Sequence, residues 1–324
     1  MRGKPGAYWP AAFIRVLHSL QYFGQVIFEP AFLNSAFFVF HSAAHFFWRS
    51  CVAVFESGAG LAASVAGGAW GVNGFPVIGE HGLGVLTVSG GGTVTDNGAF
   101  IGRFGDGEGH ATVTGAGSTW TSSGPVTVAG SGRGTLTVQD GGLVTCAGGC
   151  MIAGNGGSDG AVAVSGATLA GGSLSVGSGG VGRLDVGPGG AVNSTDGAIA
   201  GIPTADGSAV TVGGANAGWT LSGELVVGDG GAGSLTIQDG GRVSDVHAVV
   251  GRFVSGRGTA VVTGAGSAWT GESLAVGYLS GTGSLSVQNG GRVTSQNGSI
   301  GNSSGPGTAV TVVHDAANHS GSAS

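Results

Sequence analysis

The stretch GTLTVQDGGLVT, Gly134 to Thr145, returns almost unchanged as GSLTIQDGGRVS from Gly233 and GSLSVQNGGRVT from Gly283. More divergent copies, GVLTVSGGGTVT and GRLDVGPGGAVN, begin at Gly84 and Gly182, so the starts are 50, 48, 51 and 50 residues apart. A chain that rewrites one short segment at a near-constant interval places each copy in the same environment, and a stack of like units does this. Within a copy the pattern has the period of a strand. Leu136 and Val138 point one way, Thr135 and Thr137 the other. Asp140-Gly-Gly, Asp239-Gly-Gly and Asn289-Gly-Gly then supply the left-handed backbone needed at a sharp corner.

Two further segments ride on the same period. One runs GHATVTGAGSTW from Gly109 and GTAVVTGAGSAW from Gly258; the other runs GPVTVAGSG from Gly124 and GELVVGDGG from Gly223. The super-repeat of about 50 residues therefore divides into three sub-units of roughly 14 to 20 residues, each about one coil of a parallel β-solenoid. WD40 and leucine-rich signatures are absent, and no helical periodicity appears after Gly79. The expected fold is all-β, a parallel β-helix over residues 79–315 with about 14 coils, a rod of roughly 70 Å at the usual ~4.8 Å strand spacing.

Composition narrows the function classes. Glycine supplies 73 of 324 residues, 9% are charged and 41% hydrophobic, which fits neither a disordered chain nor a collagen. From residue 79 onward seven arginines face fifteen carboxylates, and an acidic surface without basic stripes repels nucleic acid. Residues 1–75 differ: FFVFHSAAHFFW (Phe37 to Trp48) and the apolar stretch from Cys51 to Gly71 suggest an export signal or an end cap. His41 and His45 have helical spacing but lack an acidic third ligand, so no metal role is expected. Residues 316–324 read as a polar tail.

Few residues stand out as chemistry. Trp120, Trp219 and Trp269 occupy one position of the period and are either a glycan-stacking stripe or a packing device; Leu169 near the matching point favours packing. Cys146 and Cys150 are a candidate local disulfide, or two small side chains at a turn; without nearby histidines they make no zinc site. A β-helix polysaccharide lyase or glycosidase needs clustered carboxylates, whereas Asp106, Asp159, Asp196, Asp206 and Asp229 sit beside glycines and, with Asp185, are expected in loops. A calcium-like GGSDG around Asp159 does not recur every nine residues. Neither a catalytic residue nor a cofactor or metal ligand is assigned.

The stretches His110 to Trp120, Gly124 to Gly142, Gly258 to Trp269 and Gly283 to Gly291 resemble repeats in the passenger region of bacterial autotransporters, the type V secreted surface proteins. The resemblance covers about residues 79–315. It implies a β-helical stalk, secreted or held at the outer-membrane surface and often adhesive or autoaggregative. Host surfaces, glycans or identical molecules on neighbouring cells would be its partners. Passengers of this kind are poor in cysteine, with pairs close in sequence, as Cys146 and Cys150 are. The family ends in a translocator β-barrel, a pattern not found before Ser324, so the chain reads as a fragment or as released or anchored differently. Membrane association is expected only through such a translocator or the N-terminal region. An exported, non-catalytic adhesive stalk is the leading expectation, and a polysaccharide-acting β-helix enzyme the alternative.

Overall fold

The computed structural model describes residues 61–301 and two flanking strand segments, Phe37–Val39 and Ala309–Val312. His41, His45, Cys51 and the tail from residue 316 lie outside the described residues. The described chain is an all-β, right-through parallel β-solenoid, with one short 3-10 turn at Pro203–Ala205 among its strands.

One coil shows the plan. The long strand Arg133–Gln139 ends at the corner Asp140–Gly142; Leu143–Cys146 forms the second side, Cys150–Ile152 the third, and the next long strand is Asp159–Ser165. Long strands stack into one twelve-stranded parallel sheet, while the two shorter strands of each coil build the other two faces. Thr137 therefore pairs with Thr112 below and Ala163 above.

The coil is longer than the sequence suggests. Partners on the long face are 22 to 26 residues apart, and the stack has about ten turns, not 14. At ~4.8 Å per turn the described rod rises roughly 48 Å, not 70 Å. The segment beginning at Gly124 is not a coil of its own: its strand, Val126–Val128, is the third side of a triangle. Three residues are too few to show a period of their own. Parallel pairing also extends N-terminal of Gly79, through Leu61–Ala66 and Ala69–Gly71.

Two coils, not three, make the super-repeat, and the interior says why. One inward column of the second side, half-buried at its two ends and buried between, reads, in register, Trp70, Val94, Trp120, Val144, Leu169, Val192, Trp219, Val243, Trp269, Val293. Large and small alternate because an indole is too large to stack on another at strand spacing. The other two sides compensate. The long strand carries Leu86, Leu136, Leu184 and Leu235 in valine coils but the smaller Ala111, Val210 and Ala260 in the coils of Trp120, Trp219 and Trp269. The third side carries Ala99, Cys150, Gly197 and Ala248 in valine coils but Val126, Leu174, Leu225 and Leu274 in the others. Burying each large aliphatic side chain stabilises the stack by about 1.5–3 kcal/mol.

The glycine that opens every copy has a steric cause. A Cβ on Gly134 would lie 2.4 Å from the Ala129 backbone nitrogen, because the third side crosses over the start of the long strand there.

Candidate functional site

The long sheet presents its polar side outward in straight columns. One reads Thr87, Thr112, Thr137, Ala163, Asp185, Thr211, Thr236, Val261, Ser286. Beside it stand Ser89, Thr114, Gln139 and Ser165, then Gln238, Thr263 and Gln288. Neighbouring coils bond across these columns: His110 Nδ1 with Thr135 Oγ1 at 2.6 Å, and Gln139 Nε2 donating to Thr114 Oγ1 at 3.4 Å.

The recurrent acids are structural. Asp140, Asp239 and Asn289 hold φ of 53°, 52° and 51°, the left-handed corner for which Asn and Asp are suited. Two of the acids expected in loops are in strands, Asp159 at the start of Asp159–Ser165 and Asp185 within Val181–Val186, and several of the acids tie one coil to another. Asp159 pairs with Arg183 at 2.6 Å, Asp206 with Arg257 at 3.0 Å and Asp106 with His81 at 2.8 Å. Asp196 accepts the Glu224 backbone N–H at 3.0 Å. Glu224 and Asp229 share one cation, with Arg252 at 2.7 Å from each. That arginine also covers the Phe253 ring, as Arg103 covers Phe104 while bonded to Glu80. The motif Gly-Arg-Phe thus appears twice, at Gly102 and Gly251, on the same corner. Among the described residues, no three His, Cys, Asp or Glu side chains gather as a metal-ligand set.

The tryptophans are interior, not a glycan-stacking stripe: Trp120, Trp219 and Trp269 are at most 2% exposed. Each indole N–H donates to the coil before it. Trp120 meets Asp96 Oδ2 at 2.6 Å, Trp219 meets Ser194 Oγ at 3.0 Å and Trp269 meets Asp245 Oδ2 at 2.5 Å. Asp96, Cys146, Ser194 and Asp245 form one internal row, closing the second side of the valine coils. Sequence reasoning missed Asp96, Ser194 and Asp245 as partners. The usable signal was an Asp or Ser 24 or 25 residues before each tryptophan.

The two acids of the row differ. Asp96 Oδ1 accepts the Gly98 N–H at 3.0 Å, but Asp245 Oδ1 is buried without a partner. At this corner the next two coils run through as continuous strands, Ala268–Val276 and Arg292–Ile300. Burial raises Asp96 above the usual carboxylate range and pushes Asp245 up to about 6, against the Trp269 hydrogen bond and the nearby His247. The fold therefore favours protonated Asp245. Its contribution to stability is full below about pH 4 and is lost as pH rises through about 6. Asp245→Asn should match the parent near pH 4 in urea unfolding and exceed it by about 2–3 kcal/mol near pH 7. A difference that does not vary with pH would assign the effect to packing instead.

Cys146 and Cys150 are both buried and both free thiols. They meet inside the rod, below Leu169. Comparison with protein families, curated proteins and solved structures found no match.

Proposed function

We propose that the chain is an exported stalk, secreted or displayed at a bacterial surface, that adheres through its outward face and carries out no catalysis. The observation that supports this reading is the register of the long sheet. It repeats Thr, Ser and Gln side chains coil after coil on one side of a stiff rod. Contacts of that kind are individually weak but multiply when many act at once. Glycans, a host surface or identical molecules on a neighbouring cell are the partners this chemistry suits. The engagement of the acids in inter-coil pairs supports a structural role for them over that of a polysaccharide lyase or glycosidase.

Beads coated with the full chain test the reading. They are expected to clump or to be captured on host cells. A variant carrying Thr112→Glu, Thr211→Glu and Ser286→Glu, spaced along the column, should lose at least about tenfold in capture, because multivalent binding falls steeply with each weakened contact. Its circular dichroism should remain that of the parent. Parent beads that neither clump nor adhere, from a preparation that depolymerises a polysaccharide, would replace the adhesive reading with the enzymatic one.

A further inference from the structure

Four internal slots lie between the second and third sides of the valine coils, each roofed by the coil above. Three have small or hydrogen-bonding walls, Asp96 with Ala99, Ser194 with Gly197 and Asp245 with Ala248, and are filled by Trp120, Trp219 and Trp269. A Cβ on Gly197 would lie 2.6 Å from the Trp219 ring, which shows how tightly an indole occupies its slot. The fourth is roofed by Leu169, and its walls are Cys146 and Cys150. It is the slot that lacks an indole clamp, and it is where the two thiols are.

The corner holds them together. Cys146 ends one strand, Cys150 begins the next, and the Gly149 N–H bonds the Cys146 carbonyl at 2.9 Å, closing a tight turn with Gly149 at φ 99°. The side chains are 1% and 5% exposed, both facing inward. The Cys146 thiol donates to the Ala170 carbonyl at 3.6 Å, and the Cys150 thiol lies beside it. The contact with Cys146, together with burial, holds Cys150 well above the usual thiol range.

We propose that Cys146 and Cys150 form a disulfide across this corner when the chain folds in the presence of a small-molecule disulfide, a covalent clamp in the slot that has no indole clamp. One thiolate attacks the oxidant and expels one of its sulfurs as a thiol. The second thiolate then attacks the mixed disulfide and expels the other. Two S–H bonds and the oxidant's S–S bond are lost; one protein S–S bond and two oxidant thiols are formed, taking up the two protons and two electrons. The order follows from burial: thiols that are covered and protonated in the closed coil exchange slowly, so the bond forms before the roof of Leu169 closes. The proposal does not depend on the adhesive reading. Its rival is that the two sulfurs only fill the volume left where leucine replaces tryptophan.

The test uses the full chain carrying Cys51→Ser, so that these are its two cysteines. It is refolded from denaturant with glutathione disulfide or with a reductant, checked for β-sheet by circular dichroism, then denatured in an alkylating agent and digested. The expected result after oxidative refolding is a peptide spanning both cysteines, unalkylated and lighter by two hydrogen atoms. Its thermal midpoint should stand several degrees above that of the reduced sample, a gap that Cys150→Ala abolishes. Both cysteines alkylated, or each carrying glutathione, in an oxidatively refolded sample with native β-sheet would overturn the proposal in favour of packing alone.

Discussion

Trp120→Ala is expected to destabilise the rod by roughly 3–5 kcal/mol, the range for deleting a fully buried aromatic side chain. Two losses combine. The slot between Asp96 and Ala99 empties, and Asp96 Oδ2 loses its hydrogen-bond donor while remaining buried. In a solenoid each coil touches only its neighbours, so the damage should be local. Amide exchange should accelerate most from about residue 82 to residue 157 and least near Trp269. The chain also contains its own control. Leu169 occupies the same column over a slot lined by Cys146 and Cys150, with Val162 at the long-strand position that is Ala111 in the Trp120 coil, Ala260 in the Trp269 coil and Val210 in the Trp219 coil. Transplanting that set, as Ala111→Val, Asp96→Cys, Ala99→Cys and Trp120→Leu together, should recover most of the loss in urea unfolding. A transplant as unstable as Trp120→Ala would mean that volume balance within a coil is not what sets the two-coil period.

Gly102→Ala is the second large effect. Gly102 turns the third corner at φ 72°, and a Cβ there would lie 1.8 Å from the Arg133 carbonyl oxygen of the next coil. No rotamer relieves this, because both groups are backbone. The forced left-handed alanine and the displaced strand together should cost about 3–5 kcal/mol. The expected result is a drop in thermal midpoint comparable to that of Trp120→Ala. A change within about 1 kcal/mol would show that the coils can separate locally, since overpacking strain of this kind is normally 1–3 kcal/mol by itself.

Particular residues show how far the sequence was readable. Leu136, Val138 and the Asp140 corner announce a strand and a turn through period 2 and Asp-Gly-Gly, and both stand where expected. Leu169 in a tryptophan column argued for packing, and the indoles are interior. The coil length was not readable. The third side is as short as Ala99–Ile101 or Cys150–Ile152, too brief to mark a period, and in the sequence alone it passes for a separate coil. The clamp row was hidden for another reason. Asp245 looks like one more acid in a loop until the register sets it under Trp269. A pairing between residues 24 apart is a property of the stack, and neither residue shows it alone. The outward columns were expected as Thr and Ser ladders. Their ligand is not written in them, because a repeated hydroxyl face suits many partners equally.

The central claim is a straight stack with about 25 residues per coil, and a ruler along one column tests it most directly. Thr112, Thr236 and Ser286 lie in a single outward column, with Thr236 five coils from Thr112 and Ser286 seven. Spin labels attached without cysteine at Thr112 and Thr236, and in a second sample at Thr112 and Ser286, should be about 24 Å and about 34 Å apart at ~4.8 Å per coil, before the reach of the labels is added. A stack of 14- to 20-residue coils would set the second pair roughly 50 Å apart on the same spacing. A value near that, or a Thr112–Ser286 distance no longer than Thr112–Thr236, would contradict the three-sided coil.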